Sequence, residues 1–263
     1  MDLGLTGKRV LITGSYRGTG AGTARVFAAE GAQVLVHGRE VGHAADVVAE
    51  IRRAGGAADE VAGDLSTDAG AQAMMASVEA TFGSVDVLVA NLGSPGASTW
   101  DSMDNWAQEW DANVLVGVRA VQGVMTSMRT QGWGRIVFIG TVGARRPGGR
   151  NPGYYGAKAG LHTIVRSLAK ELRGSGVTAN LVSPGMVATA EVRESLAAHA
   201  AKRGRSTEWA DVEKRAVANL MPNLTERLPE PDDIGRLVAF VASVGAWHIN
   251  GADLAIDGGA LDA

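Results

Sequence analysis

The chain has 263 residues, a formal net charge of −3, 36 glycines and no cysteine. A composition of 46% hydrophobic and 20% charged residues excludes a disordered or collagen-like polymer, and the missing thiols exclude disulfides, thiolate catalysis and cysteine-ligated metal. The mild acidity leaves no overall electrostatic footprint for nucleic acid or an anionic membrane.

A chain of this length can fold around a single α/β core, and one domain over 1–263 is expected. The opening MDLGLTGKRVLITG enters a strand at once, without a charged leader or a small-residue cleavage site. No run approaches the roughly 18 apolar residues that would span a bilayer. A cytoplasmic protein with no membrane or nucleic-acid partner is the expectation.

In chain order, KRVLIT (8–13) predicts a strand followed by a helix near 19–30, and AQVLVH (32–37) predicts a strand followed by a helix near 41–54. ADEVAGD (58–64), VDVLVAN (85–91), GRIVFIG (134–140) and VTANLVS (177–183) continue the rhythm, each ahead of a helical segment. Several of these strands are apolar almost throughout, as a parallel sheet covered by helices on both faces requires. The fold class is therefore α/β with a doubly wound parallel sheet. ADLAIDGG (252–259) predicts a last strand at one edge. Two helical segments within 186–228 interrupt the alternation before LPEPDDIGRLVAFVAS restarts it with proline and acidic residues at a helix start. Such an insertion is a candidate substrate lid.

Between the first strand and its helix lies TGSYRGTG, with Gly14, Gly18 and Gly20. Glycine there permits a tight turn and lets backbone N–H groups at the helix N-terminus approach a pyrophosphate. The spacing T-G-x-x-x-G-x-G resembles that of the short-chain dehydrogenase/reductase family, including its 3-oxoacyl-acyl-carrier-protein reductase-like members. The resemblance extends in order through GDL (63–65), ANLG (90–93), DANVLVGV (111–118), Tyr154 with Lys158, SPGMVAT (183–189) and INGADLAIDGG (249–259). It implies a single-domain Rossmann fold, an NAD(P) cofactor and homotetrameric or homodimeric assembly. The cofactor residues it implies are Gly14, Tyr16, Arg17, Gly18, Gly20, Asp64, Leu65, Asn91, Gly93, Pro184, Gly185 and Thr189, together with Tyr154 and Lys158.

Where an acidic residue at the end of the second strand would grip a ribose 2′-hydroxyl, this chain reads His37, Gly38, Arg39. Arg17 and Arg39 offer planar, charge-assisted donors to a 2′-phosphate, so NADP is the expected cofactor. NAD is the alternative, with Glu40 taking the hydroxyl.

Tyr154 and Lys158 stand at i and i+4 and share a helix face, a spacing that Tyr155 does not have to Lys158. A nearby ammonium is expected to favour the phenolate and lower the tyrosine pKa toward a useful range. By resemblance, Tyr154 is the general acid or base, Lys158 also binds the nicotinamide ribose, and Asn113 in the helix after ANLG supports a proton relay. Thr141 stands where the family carries a serine; it keeps the hydroxyl and adds a methyl that restricts its rotamers. Arg145, Arg146 and Arg150 are candidates for a basic rim suited to an acyl thioester, and Trp106 and Trp110 for packing or substrate stacking. The implied activity is hydride transfer between NADP and a ketone or secondary alcohol. The alternatives are an NAD-dependent dehydrogenase of a sugar, sterol or other hydroxylated compound, and a catalytically silent NADP-binding sensor.

Overall fold

A computed structural model describes residues 2–93, 95–96 and 98–261. Among them seven strands form one sheet: β1 (Arg9–Ile12), β2 (Gln33–Gly38), β3 (Ala57–Ala62), β4 (Val87–Ala90), β5 (Gly134–Ile139), β6 (Val177–Pro184) and β7 (Asp253–Ile256). Every pairing is parallel, in the order β3-β2-β1-β4-β5-β6-β7. Every predicted strand is present, with its ends moved by up to three residues, and β7 closes one edge as expected.

The nearly uniform apolar strands hide a period of two. Val10, Ile12, Val34, Val36, Val87 and Val89 face one core, while Leu11, Leu35 and Leu88 face the other. The first core is covered by α1 (Gly18–Ala29), α2 (Ala45–Arg53) and α9 (Pro231–Ala242). The second is covered by α3 (Asp68–Phe82), α5 (Val116–Gln131) and α6 (Pro152–Glu171). β-Branched residues thus line one face and leucines much of the other, as successive side chains point to opposite sides of a strand.

After β3 the chain crosses back to the other side of β1, so the strand order reverses between β1 and β4. Their C-terminal ends therefore open a crevice at the topological switch point. One departure from the predicted pattern matters near it. Asn113 does not lie on a regular helix: α4 (Met103–Trp110) runs into α5 through a π-helical turn, Asp111–Leu115, a wider turn that re-aims its side chains. The two segments predicted within 186–228 are α7 (Ala190–Ala201) and α8 (Trp209–Asn219). Ala216, Val217 and Leu228 form a small separate core there, joined by Met186, Leu196 and Trp209.

Trp106 and Trp110 lie on the face of α4 that meets α6. A Cβ at Gly156 would stand 3.6 Å from Trp106, and one at Gly160 only 3.0 Å from Trp110. Indoles one turn apart thus seat over glycines one turn apart, packing α4 against α6. The Trp106 indole N–H donates to the Thr99 carbonyl at 2.9 Å.

Helices α1 and α9 meet closely at Gly22, where a Cβ would lie 2.5 Å from the Pro231 carbonyl carbon. Because backbone rather than a flexible side chain occupies that space, Gly22→Ala is expected to destabilise the fold by about 1–3 kcal/mol. A lowered urea midpoint with an unchanged m-value would register the loss, and an unchanged midpoint would show that the two helices separate freely.

Candidate active site

The first turn is built by contacts only glycine permits. Gly14 and Gly18 take φ values of 62° and 56°, in the left-handed region that favours glycine. A Cβ on Gly20 would meet the Asn91 side chain at 2.6 Å and the Gly14 carbonyl at 2.7 Å. Asn91 Nδ2 donates to the carbonyls of Thr13 (2.9 Å) and Gly14 (3.1 Å), tying the loop after β4 to the turn after β1.

His37, at the end of β2, completes this frame. Its Nδ1 accepts from the Gly14 N–H and its Nε2 lies 2.9 Å from the Gly63 carbonyl. One nitrogen must therefore accept and the other donate, which selects the neutral Nε2–H tautomer. Burial pushes the histidine pKa down, in keeping with that state.

The resulting groove of about 590 Å³ is lined by Gly14, Tyr16, Arg17, Gly18 and Gly20 from the first turn, and by Arg39, Asp64, Leu65, Asn91 and Gly93 from the following loops. Thr189 and Glu191 close its far wall. The α1 N-terminus faces this groove, so the residues present fit a dinucleotide pyrophosphate. Both predicted arginines already have acidic partners: Arg17 lies 3.4 Å from Glu191, and Arg39 pairs with Asp64 at 2.5 Å. Hydrogen bonds from Ser66, with help from Arg39, lower the Asp64 pKa to about 2. Thr189 caps α7 by accepting from the Val192 N–H.

A smaller cavity of about 160 Å³ shares Thr19, Asn91 and Gly93 with the groove and continues to Thr141, Tyr154 and Lys158, with Pro184 and Gly185 opposite. Thr141 Oγ1 accepts from the Gly143 N–H at 3.1 Å, and its own O–H is a donor toward the Tyr154 phenol. Tyr155 packs over Gly143, where a Cβ would come within 2.5 Å of its ring. Buried Lys158 donates from Nζ to the Ile139 carbonyl at 3.0 Å. Gly93 leaves the space between Lys158 Nζ and Asn113 Oδ1, which lie 2.9 and 2.8 Å from where its Cβ would stand.

The electrostatics correct the expected effect of Lys158 on Tyr154. Burial, reinforced by Tyr155 and Glu109, raises the Tyr154 pKa to about 12, against a lowering from the Thr141 hydroxyl. Burial also lowers Lys158 to about 8. Desolvation disfavours the charged form of each group and outweighs the expected lowering by the ammonium.

Two arginines of the proposed basic rim are engaged elsewhere. Arg145 pairs with Asp253, and Arg146 donates to the Ala260 carbonyl at 2.8 Å. Asp253 also accepts from Ser183 at 2.6 Å and lies 3.1 Å from His162. These contacts bind the loop after β5 to β7. Glu109, which no sequence motif marks, is 4% exposed and contacts both Asn113 and Gly96. Its position one helical turn before Asn113 was the available signal.

A family model described as short chain dehydrogenase matches residues 8–200. The chain is 31% identical over 261 residues to D-beta-hydroxybutyrate dehydrogenase from Cupriavidus necator, covering 97% of this chain and 98% of that protein. It is 34% identical over 268 residues to L-rhamnose 1-dehydrogenase (NAD(P)(+)) from Azotobacter vinelandii, covering 97% of each. The crystal structure of L-sorbose reductase from Gluconobacter frateurii, complexed with NADPH and L-sorbose, superposes with a TM-score of 0.92 at 28% identity over 100% of both chains. The chain belongs to the short-chain dehydrogenase/reductase family and is an NAD(P)-dependent oxidoreductase acting on CH–OH groups.

The shifted lysine gives a signed expectation without cofactor. Between about pH 8 and its ordinary value of 10.5, Lys158 holds its proton in the unfolded chain and releases it in the folded one. The unfolded state then binds more protons, so this group's contribution to stability rises with pH, by about 3 kcal/mol across the window. Lys158→Met should remove that rise. Urea unfolding of both proteins at about pH 7 and about pH 10 measures the difference, and parallel pH dependences would refute the assigned shift.

Proposed function

We propose that the protein is an NADP-dependent oxidoreductase that interconverts a ketone and a secondary alcohol, with Tyr154 as general acid or base. The observation carrying this reading is the junction of the two cavities: Thr141, Tyr154 and Lys158 surround the inner end of a groove whose outer part fits a dinucleotide. When bound, the nicotinamide supplies or accepts the hydride at the substrate carbon. In the reducing direction, Thr141 donates a hydrogen bond to the substrate oxygen, and the Tyr154 phenol transfers its proton there as charge develops. Lys158 holds the nicotinamide ribose, and Asn113 supports proton return from solvent. A phenol held protonated by burial suits the acid role.

Thr141 fulfils the hydroxyl requirement in this reading, while its methyl narrows the space beside the substrate carbon. The relatives act, by their names, on D-beta-hydroxybutyrate, L-rhamnose and L-sorbose. Small hydroxylated compounds and their ketones therefore come first in a substrate panel, ahead of acyl thioesters, because Arg145 and Arg146 already have internal partners. The segment carrying α7 and α8, whose start at Thr189 and Glu191 lines the groove, is in this reading the lid.

NADP preference is supported by Arg17 and Arg39 lining one groove without a carboxylate at positions 37–39. A 2′-phosphate would draw Arg39 from Asp64 and Arg17 from Glu191, exchanging carboxylate contacts for phosphate ones. NADPH should bind at least about tenfold more tightly than NADH, and Arg39→Ala should erase most of that difference. Equal dissociation constants in the parent would overturn the preference.

The central test follows NADPH consumption with keto-sugars, 3-oxo acids, cyclic ketones and 3-oxoacyl thioesters, each beside Tyr154→Phe. Loss of the proton donor should reduce kcat at least about hundredfold. Turnover that survives in the variant would refute the acid–base assignment. Cofactor binding with no turnover across the panel would favour a cofactor-binding sensor.

A further inference from the structure

A buried carboxylate stands behind the proposed relay without touching the reacting groups. Glu109, on the last turn of α4, is 4% exposed. Its Oε1 accepts from the Gly96 N–H at 2.6 Å, and its Oε2 accepts from Asn113 Nδ2 at 2.9 Å. The same Nδ2 donates to the Glu109 backbone carbonyl at 3.1 Å. A Cβ at Gly153 would lie 3.3 Å from Glu109 Cγ, so the side chain is also packed beneath the start of α6.

These contacts determine the Asn113 amide orientation. These two partners of Nδ2 are acceptors, which places the NH₂ group toward Glu109 and Oδ1 away from it. Oδ1 consequently faces the space at Gly93 that Lys158 Nζ approaches from the other side. A reversed amide would set Oδ1 against a carboxylate oxygen and a carbonyl, where no donor is available.

We propose that Glu109 is a positioning residue of the active site, its carboxylate locking the Asn113 amide toward Lys158 while pinning the loop after β4 through Gly96. This rests on the proposed Tyr154, Lys158 and Asn113 roles and assigns the element that orients Asn113. Two donors converge on the side chain from different segments, and only a carboxylate offers each an acceptor. Glutamine must turn its NH₂ group toward one of them. Burying the charge is costly unless it is hydrogen-bonded, and the two donors at Gly96 and Asn113 meet that requirement.

The negative charge has a second consequence. Among the described residues, the titratable groups around Tyr154 are Glu109 from α4 and Tyr155 and Lys158 from α6; of these, Glu109 and Tyr155 hold the phenol proton more firmly. Removing the Glu109 charge therefore shifts phenol ionisation to lower pH, whereas a merely structural defect leaves that ionisation in place.

The test compares Glu109→Gln, Asn113→Ala and the double variant, using NADPH and whichever panel ketone the parent reduces, with the corresponding alcohol for the reverse reaction. Glu109→Gln is expected to lower kcat about tenfold to hundredfold with KM and the NADPH dissociation constant within about threefold. Its pH profile for alcohol oxidation should move to lower pH. The double variant should be no slower than Asn113→Ala, because both changes disable one unit. Glu109→Met, which fills the space without acceptors, should reproduce the loss. An unchanged kcat and pH profile in Glu109→Gln, or multiplicative losses in the double variant, would overturn the proposal. Tyr154→Phe separates the two failures: if it retains turnover, the acid–base reading fails; if it loses turnover while Glu109→Gln does not, only the positioning role fails. Phenolate absorbance titration, with Tyr154→Phe as the blank, tests the electrostatic effect without substrate; the Tyr154 transition should fall at lower pH in Glu109→Gln, and an unmoved transition also counts against the proposal.

Discussion

The close approach of the first turn to the loop after β4 is the constraint on which the site depends. Gly20 leaves room for the Asn91 amide, which holds two carbonyls of the turn. Neutral His37 holds the same turn from the side of β2. Three parallel strands thus deliver their C-terminal ends to one crevice, and the α1 N-terminus is aimed by backbone geometry before a cofactor phosphate arrives. The reversal of strand order between β1 and β4 makes this possible, because the loops diverge there and leave an opening.

Burial at the inner end changes the chemistry of the groups gathered there. An exposed tyrosine and lysine one helical turn apart would pair weakly in water. Here each resists ionisation, with Tyr154 raised to about 12 and Lys158 lowered to about 8. Desolvation thus outweighs the expected attraction and keeps the phenol in its proton-donating form. The carboxylate of Glu109 adds to that bias, while Thr141 pulls in the other direction. Acid–base balance at Tyr154 is therefore set by groups from α4, the loop after β5 and α6 together.

The polar contacts outside this centre serve to hold loops in place. Arg145 and Asp253 are separated by 108 positions, and their pairing ties the segment after β5 to the last strand. Arg146 reaches the carbonyl of Ala260 in the same direction. Side chains that resemble an anion-binding rim in linear order thus serve to fix the loop bearing Thr141. Trp106 and Trp110 similarly rest against α6, where Gly156 and Gly160 leave room for them.

The sequence by itself determined the α/β alternation, the parallel sheet, the edge position of β7, the glycine turn and the i, i+4 relation of Tyr154 and Lys158. These follow from local period, local spacing and backbone freedom, all legible along a short stretch. The tertiary structure decided the π-helical turn at Asn113, the neutral tautomer of His37, the partners of Arg39 and Arg145, and the burial of Glu109. It also decided the direction of the Tyr154 shift. Each depends on which distant segment supplies an acceptor or removes water, and that information arises only when the strands and helices pack.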